Sequence, residues 1–413
     1  MSELPWVISV DDHVVEPPHV WHTWLPERLR DRGPRVERDT CATVYSPGAA
    51  VARHVRGGDG PVTDWWVYEG VSRPIPQVMA CVGFPREALT MAPIAFDEMR
   101  PGCWDPAARL ADMDLNRTER SLCFPTFPRF AGQVFTEADD KDLALACVEA
   151  YNDWMVDEWC GDSAGRLIPL CIVPMWDPQL AAAEIRRNAA RGVRAVAFTE
   201  IPAFLGLPSI HDAQRHWDPF LAACDETGTV VCMHIGSGSR MTKTSDDAPA
   251  AMSMALTSLN AYMSMADWLL SGALARFTKL KIAFSESQIG WMPFLLDRLD
   301  NIFLESRAWA DLDPSITEPP SSYMPGRVYG CFFDDMVGVE MRHRIGVEQL
   351  VFETDYPHQD STWPHTDEVV ADIAARVSPE ELEMLVRTNA MAMLDLDPAD
   401  LRPVDAPAAP VAS

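Results

Sequence analysis

The chain has 413 residues, 47% of them hydrophobic and 23% charged, enough to bury a large core. Its 34 basic and 61 acidic side chains leave a formal charge of −27, which opposes binding to nucleic acid or to anionic membrane surfaces. Ten cysteines, no two closer than eight positions, form no CxxC pair, and "MSELPWVISV" has no basic segment ahead of an apolar core, so a cytoplasmic setting with reduced thiols is expected.

The stretch "WVISVDDHVVEP" (6–17) reads as a first strand that ends in two acids and a histidine. A Pro- and Gly-rich region, 17–105, follows as an expected insertion; Gly57-Gly58-Asp59-Gly60 in it suggests a β-hairpin turn. From Asp105-Pro106, a helix start, the pattern becomes regular. Further strands are expected at 120–127, 166–174, 193–200, 229–236, 279–286, 327–333 and 349–355, with helical segments between them. The apolar stretch from Met254 is broken by Asn260, Asp267 and Gly272, so a buried helix pair is expected there and no membrane span. Eight short apolar strands alternating with helices predict a (β/α)8 TIM barrel, one domain over 1–396. A doubly wound open sheet is the alternative, but the first turn lacks a Gly-rich phosphate loop. Residues 397–413 read as a disordered tail.

Four of these strands finish in potential ligands: Asp11, Asp12 and His13, then His234, Glu286 and Asp355. In a barrel, active sites lie at the C-terminal strand ends. Side chains alternate along a strand, so Asp11 and His13 share one face while Asp12 points to the other. Asp11, Glu286 and Asp355 would then converge. Two carboxylates 4 Å apart repel by about 4 kcal/mol at an effective dielectric near 20. A divalent cation relieves that repulsion, with His13 and His234 as neutral nitrogen donors. Such a set suits zinc first, with manganese or iron as alternatives.

These residues also carry a resemblance. Asp11-Asp12-His13 at the first strand, His234 in "CMHIGSG", Asp355 in "FETDYPH" and the turn "GWMPFLLDRLD" resemble the amidohydrolase superfamily. The branch is the one that includes aminocarboxymuconate semialdehyde decarboxylase and related metal-dependent hydrolases. The resemblance covers most of 7–395 and is weakest over the insertion. Many relatives have a histidine ending the sixth strand, where this chain has Glu286. The fourth strand ends in Glu200 and not in lysine, which implies one metal and no carbamate bridge.

The expected metal ligands are therefore Asp11, His13, His234 and Asp355, and the catalytic pair is Asp355 and Glu286. Arg129 is a candidate for binding a substrate carboxylate through its planar fork. Trp291, His358 and His365 are candidates for substrate contact, and Glu16 for a structural hydrogen bond. "GDSAG" (161–165) matches a serine-nucleophile pattern but has a helix before it and a strand after it, the reverse of a nucleophile elbow. The expected function is hydrolysis of a small organic, aromatic or cyclic, substrate by an ion-activated water. Non-oxidative decarboxylation of an aromatic or unsaturated acid is the alternative, and a catalytically inactive metal- or ligand-binding barrel is the non-enzyme reading. Trp65, Trp66 and Tyr68 in the insertion suggest a homodimer contact arm.

Overall fold

A computed structural model describes residues 4–45 and 52–397, so most of the expected tail lies outside the described residues. The first strand, β1 (Val7–Val14), is buried along its whole length. Four strands of the insertion follow: β2 (Arg35–Val44), β3 (Arg53–Arg56), β4 (Val62–Tyr68) and β5 (Val71–Pro74). The regular part then supplies β6 (Thr118–Pro125), β7 (Leu167–Ile168), β8 (Leu170–Cys171), β9 (Ala195–Phe198), β10 (Val230–His234), β11 (Ile282–Ser285), β12 (Val328–Phe332) and β13 (Leu350–Phe352).

The pairing is parallel throughout the regular part. One sheet has the order β1-β6-β7 and the other β13-β12-β11-β10-β9-β8. They part at Pro169, which has no N–H for a ladder and splits the expected 166–174 strand in two. At the opposite ends, Asp355 N–H donates to the Asp11 carbonyl at 2.9 Å and His13 N–H to the Tyr356 carbonyl at 2.6 Å. Helices such as Lys141–Trp154, Pro178–Ala189, Asp218–Thr227, Ser258–Leu270 and Met292–Asn301 alternate with the strands. The Asp-Pro starts behave as the sequence implies: Asp105 and Asp177 accept backbone N–H groups of the first turn at 2.7 and 2.8 Å. Strand interiors such as Ala195–Phe198 and Val230–His234 are buried on both faces, as parallel strands under helices must be. Among the described residues, no helix is long and apolar enough to cross a membrane.

The insertion differs from its expected form. Gly57-Gly58-Asp59-Gly60 joins β3 to β4, but these strands do not pair; the antiparallel order is β3-β2-β4-β5. The tight turn is instead at Glu69-Gly70, between β4 and β5. Trp65, Trp66 and Tyr68 are not an exposed arm: they are 1%, 2% and 4% exposed. Trp66 and Tyr68 point into the main core, and Trp65 packs with Cys41 and Val67 on the other face. The homodimer expectation therefore loses its ground in these rings.

Candidate metal centre

Alternation along β1 places Asp11 and His13 on one side and Asp12 on the other. Asp12 enters a buried polar knot. Its carboxylate accepts from Ser9 Oγ at 2.9 Å, Thr354 Oγ1 at 2.6 Å, Tyr356 N–H at 3.0 Å and Ser121 Oγ. Arg109, fully buried, donates to the Gly102 and His13 carbonyls and lies 4.1 Å over the Tyr356 ring. This network fixes the backbone from which Asp11 and His13 project.

On the other face, side chains from four strand ends meet. His13 Nε2 lies 3.5 Å from Asp11 Oδ1 and 3.3 Å from Asp355 Oδ1. His234 Nε2 lies 3.5 Å from Asp11 Oδ2 and 3.2 Å from Glu286 Oε2. His358 joins them: its ring stacks on His13 at 3.5 Å and its Nδ1 is 3.2 Å from Asp355 Oδ1. One ligand atom from each of His13, His234 and His358 lies within 4.8 Å of the others.

Burial and mutual repulsion govern the protonation of this group. Burial, then the charges of Glu353, Asp355 and Glu286, hold the Asp11 carboxyl well above its usual range. Glu286, Glu353 and Asp355 are raised for the same two reasons. Burial pushes His234 and His358 down to about 3 and His13 well below its ordinary value, so all three imidazoles are neutral. His234 Nδ1 sits 2.6 Å from the Ile235 carbonyl, which can only accept; that puts the proton on Nδ1 and the lone pair on Nε2, facing the carboxylates.

The fit to a cation follows from what these atoms lack. Both oxygens of Asp11 and of Asp355, both ring nitrogens of His13, and Nε2 of His234 and of His358 are buried without a hydrogen-bond partner. Unpartnered buried acceptors are costly and rare. Several of them, with nitrogen and oxygen donors aimed at one another, make a donor set for a divalent cation. Backbone strain marks the same place: Glu286 and Asp355 have φ of 54° and 51°, left-handed values that non-glycine residues seldom adopt.

The remaining expected site residues are dispersed. Arg129 pairs with Glu137 at 2.8 Å and with Ser239. Trp291 donates from Nε1 to the Ser287 carbonyl at 2.9 Å and packs against Tyr262. His365, 69% exposed, pairs with Glu368 at 3.1 Å. It shares a cavity of about 870 Å³ with Arg86, Trp363 and His358, the last being the member of the centre that lines it. Glu16 accepts from Thr126 and Phe127 N–H at 3.0 and 2.8 Å, a structural role that ties the end of β1 to the loop after β6. Glu200 Oε1 braces the loop after His234, accepting from Gly236 N–H and Asn260 Nδ2 at 3.1 and 2.8 Å. Ser163 is buried and donates to the Cys160 carbonyl at 2.7 Å, which leaves no nucleophile at "GDSAG".

Two residues beside the centre were not anticipated. Glu353 is fully buried, and its Oε2 accepts from Glu286 N–H at 3.1 Å. Its parity with Asp355 in "FETD" was the available signal. Phe130 stacks on His234 at 4.0 Å and meets His13 edge-on at 5.4 Å. Nothing in its local sequence marks it.

Known proteins share this architecture. An amidohydrolase from Mycobacterium avium subsp. paratuberculosis K-10 is 21% identical with a TM-score of 0.66, covering 97% of this chain and 100% of that one. The 5-carboxyvanillate decarboxylase of Novosphingobium aromaticivorans, crystallised with manganese and 4-hydroxy-3-methoxy-5-nitrobenzoic acid, is 16% identical with a TM-score of 0.60, covering 96% and 97%. The 2,6-dihydroxybenzoate decarboxylase from Rhizobium is 18% identical with a TM-score of 0.53, covering 70% and 88%. At such identities the likeness speaks for the fold. A family model described as amidohydrolase matches residues 19–396, nearly the whole chain, and with the strand-end donors it settles the classification. The chain belongs to the amidohydrolase family.

Proposed function

We propose that the protein is a metal-dependent carboxy-lyase that removes carbon dioxide from a small aromatic acid. The carrying observation is the set of buried, unpartnered donor atoms on His13, His234, His358, Asp11 and Asp355. The two decarboxylases of related fold support the reaction class, and the manganese in one of them supports a hard divalent ion, with zinc and iron as the other candidates. In this reading, Asp11, His13, His234 and Asp355 hold one ion and His358 adds a third imidazole. When bound, the ion polarises a substrate carboxylate and steadies the charge that develops on it. The parallel strands, joined at Asp355 and Asp11, fit one closed (β/α)8 barrel of a single domain, with the insertion lying over it.

Glu286 is the group placed to move a proton. Burial and the charge of Asp355 raise its carboxyl well above the usual range, its Oε2 lies 3.2 Å from His234 Nε2, and its side chain is 16% exposed. A protonated acid there can deliver a proton to carbon as carbon dioxide leaves. The same carboxyl, once ionised, favours the second reading, hydrolysis, by taking a proton from water.

The test is carbon dioxide release from hydroxylated and methoxylated benzoates by the manganese- or zinc-loaded protein. At least one should be decarboxylated, while esters, amides and lactones of similar size stay intact. Release from none, with hydrolysis of a neutral ester or lactone, reverses the order of the two readings. Glu286→Gln should keep its ion and lose about 10²–10⁴-fold in turnover, the usual worth of a general acid or base. Unchanged turnover in that variant removes Glu286 from the chemistry.

A further inference from the structure

The donor set is nearly sealed: Asp11, His13 and Asp355 are 0% exposed, His234 1% and His358 6%. One ring supplies part of that seal. Phe130 stacks on His234 at 4.0 Å with the planes 23° apart, and meets His13 and His358 edge-on at 5.4 and 6.2 Å. The same ring lines a second cavity, of about 300 Å³, together with Trp66, Ile75, Met79 and Phe127. None of the donors lines that cavity, so Phe130 stands between the imidazoles and an apolar chamber. Its backbone is tightly held. Glu16 accepts the Thr126 and Phe127 N–H groups. Gln133, fully buried, accepts from Ala131 N–H at 2.8 Å and donates to the Ser237 carbonyl at 2.9 Å, which ties the loop after β6 to the loop after β10. Arg129 and Gly132, with φ of 61° and 80°, frame the turn with two left-handed residues. A turn so constrained keeps the ring in place.

We propose that Phe130 is a partition that sets substrate size: it holds the reaction chamber to the width of one aromatic ring, and without it the chamber and the cavity become one. The inference rests on the proposed function for the reacting end of the ligand, an aromatic acid at the donor set. A second, fused ring needs the space that Phe130 fills. The walls behind it, Trp66, Ile75, Met79 and Phe127, suit an aromatic hydrocarbon once the ring is gone. A single misplaced methylene in an apolar pocket discriminates by about 10–200-fold, and a fused ring is larger than that. Gly236, with φ of 80°, closes the cavity from the loop after β10, where a Cβ would start 3.5 Å from Phe130 Cε2.

The experiment uses the full chain, ion-loaded and chelator-treated. On the loaded protein, calorimetry compares salicylate with 1-hydroxy-2-naphthoate and 3-hydroxy-2-naphthoate, which keep its carboxylate and neighbouring hydroxyl and add a fused ring in different directions. Wild type should bind salicylate at least about tenfold more tightly than either naphthoate. Phe130→Ala should lower that ratio by about tenfold or more for at least one naphthoate, and the milder Phe130→Leu by less. On the chelated protein, diethyl pyrocarbonate should acylate His234 several-fold faster in Phe130→Ala than in wild type, read by peptide mass. His216, whose Nε2 is buried outside the centre, should react at the wild-type rate. Equal binding of the three acids by wild type, an unchanged ratio in both variants, no binding of any acid, or equal rates at His234 each overturns the inference. A rise at His216 that matches the rise at His234 marks general loosening and overturns it too. Carbon dioxide release is read separately: its absence beside the expected shifts overturns the proposed reaction and leaves the partition standing, and its presence beside an unchanged ratio does the reverse.

Discussion

Asp355→Asn should purify with less than about a tenth of the wild-type ion content, and its turnover should fall in step. Even the outer hydrogen-bond partners of a metal site are worth 10–100-fold in affinity, so loss of a charged donor should exceed about 100-fold. Asp355 touches both His13 and His358, and both of its oxygens lack any other partner. Elemental analysis after dialysis is the measurement. Full occupancy in the variant would remove Asp355 from the donor set.

The same substitution should act in the opposite direction on the ion-free protein. There, Asp11, Glu286, Glu353 and Asp355 crowd one buried site, and burial with mutual repulsion raises their carboxyls above the usual range. An acid raised in the folded state binds more protons folded than unfolded, so its stabilising share is full below the unfolded value and lost as pH rises. Against this, His13, His234 and His358, lowered in the folded state from 6.5, favour folding more as pH rises. The carboxyl share is therefore isolated at one pH: chelated Asp355→Asn should melt above chelated wild type at pH 8. Loaded wild type should melt above both, because the ion binds only the folded chain. A chelator with no effect on wild-type melting would show that no cation stabilises this cluster.

The second large effect is structural. Asp12→Ala leaves the Thr354 hydroxyl and the Tyr356 N–H without this acceptor in the buried interior, and leaves Ser9 and Ser121 only the weaker contacts to the Asp11 carbonyl at 3.2 Å and Cys123 Sγ at 3.4 Å. It also deprives the buried Arg109 of its anionic counterpart. Breaking such a buried charged network costs about 3–5 kcal/mol. Asp12→Asn keeps the shape and an acceptor for Tyr356, so about 1–2 kcal/mol is expected. At about 2 °C per kcal/mol for a large domain, the alanine variant should melt roughly 6–10 °C lower. A shift within 2 °C for alanine would show that the knot around Asp12 is not what fixes β1 to its neighbours.

The strand ends were legible because a two-residue period is a local property. It separated Asp11 and His13 from Asp12, and the same parity would have added Glu353 to Asp355. His358 was assigned to substrate because its place depends on how the chain turns back after β13. No periodicity encodes that turn. Gly57-Gly58-Asp59-Gly60 misled for a related reason: glycines mark a reversal but do not say which strand is the partner, and β4 pairs with the earlier β2. Trp65 and Trp66 suggest a contact arm because they sit in the insertion, yet β4 is buried on both of its faces, Trp66 in the main core and Trp65 against Cys41 and Val67. For Arg129 nothing in the sequence revealed that Glu137 lay within reach, whereas His365 and Glu368, three apart at a helix start, are a pair that local spacing offers.

The contact between β1 and the segment after β13 has a consequence for how the protein is made. Asp12 and Tyr356 are bonded across 344 residues of chain. At 5–20 residues per second, a ribosome needs roughly 20–70 s to travel that distance. During this interval the nascent polypeptide already carries Asp11 and His13 but has no partner strand to set them opposite Asp355. On the proposed reading, the donor set is therefore complete only once the segment after β13 has been made, and an ion that needs Asp355 joins late.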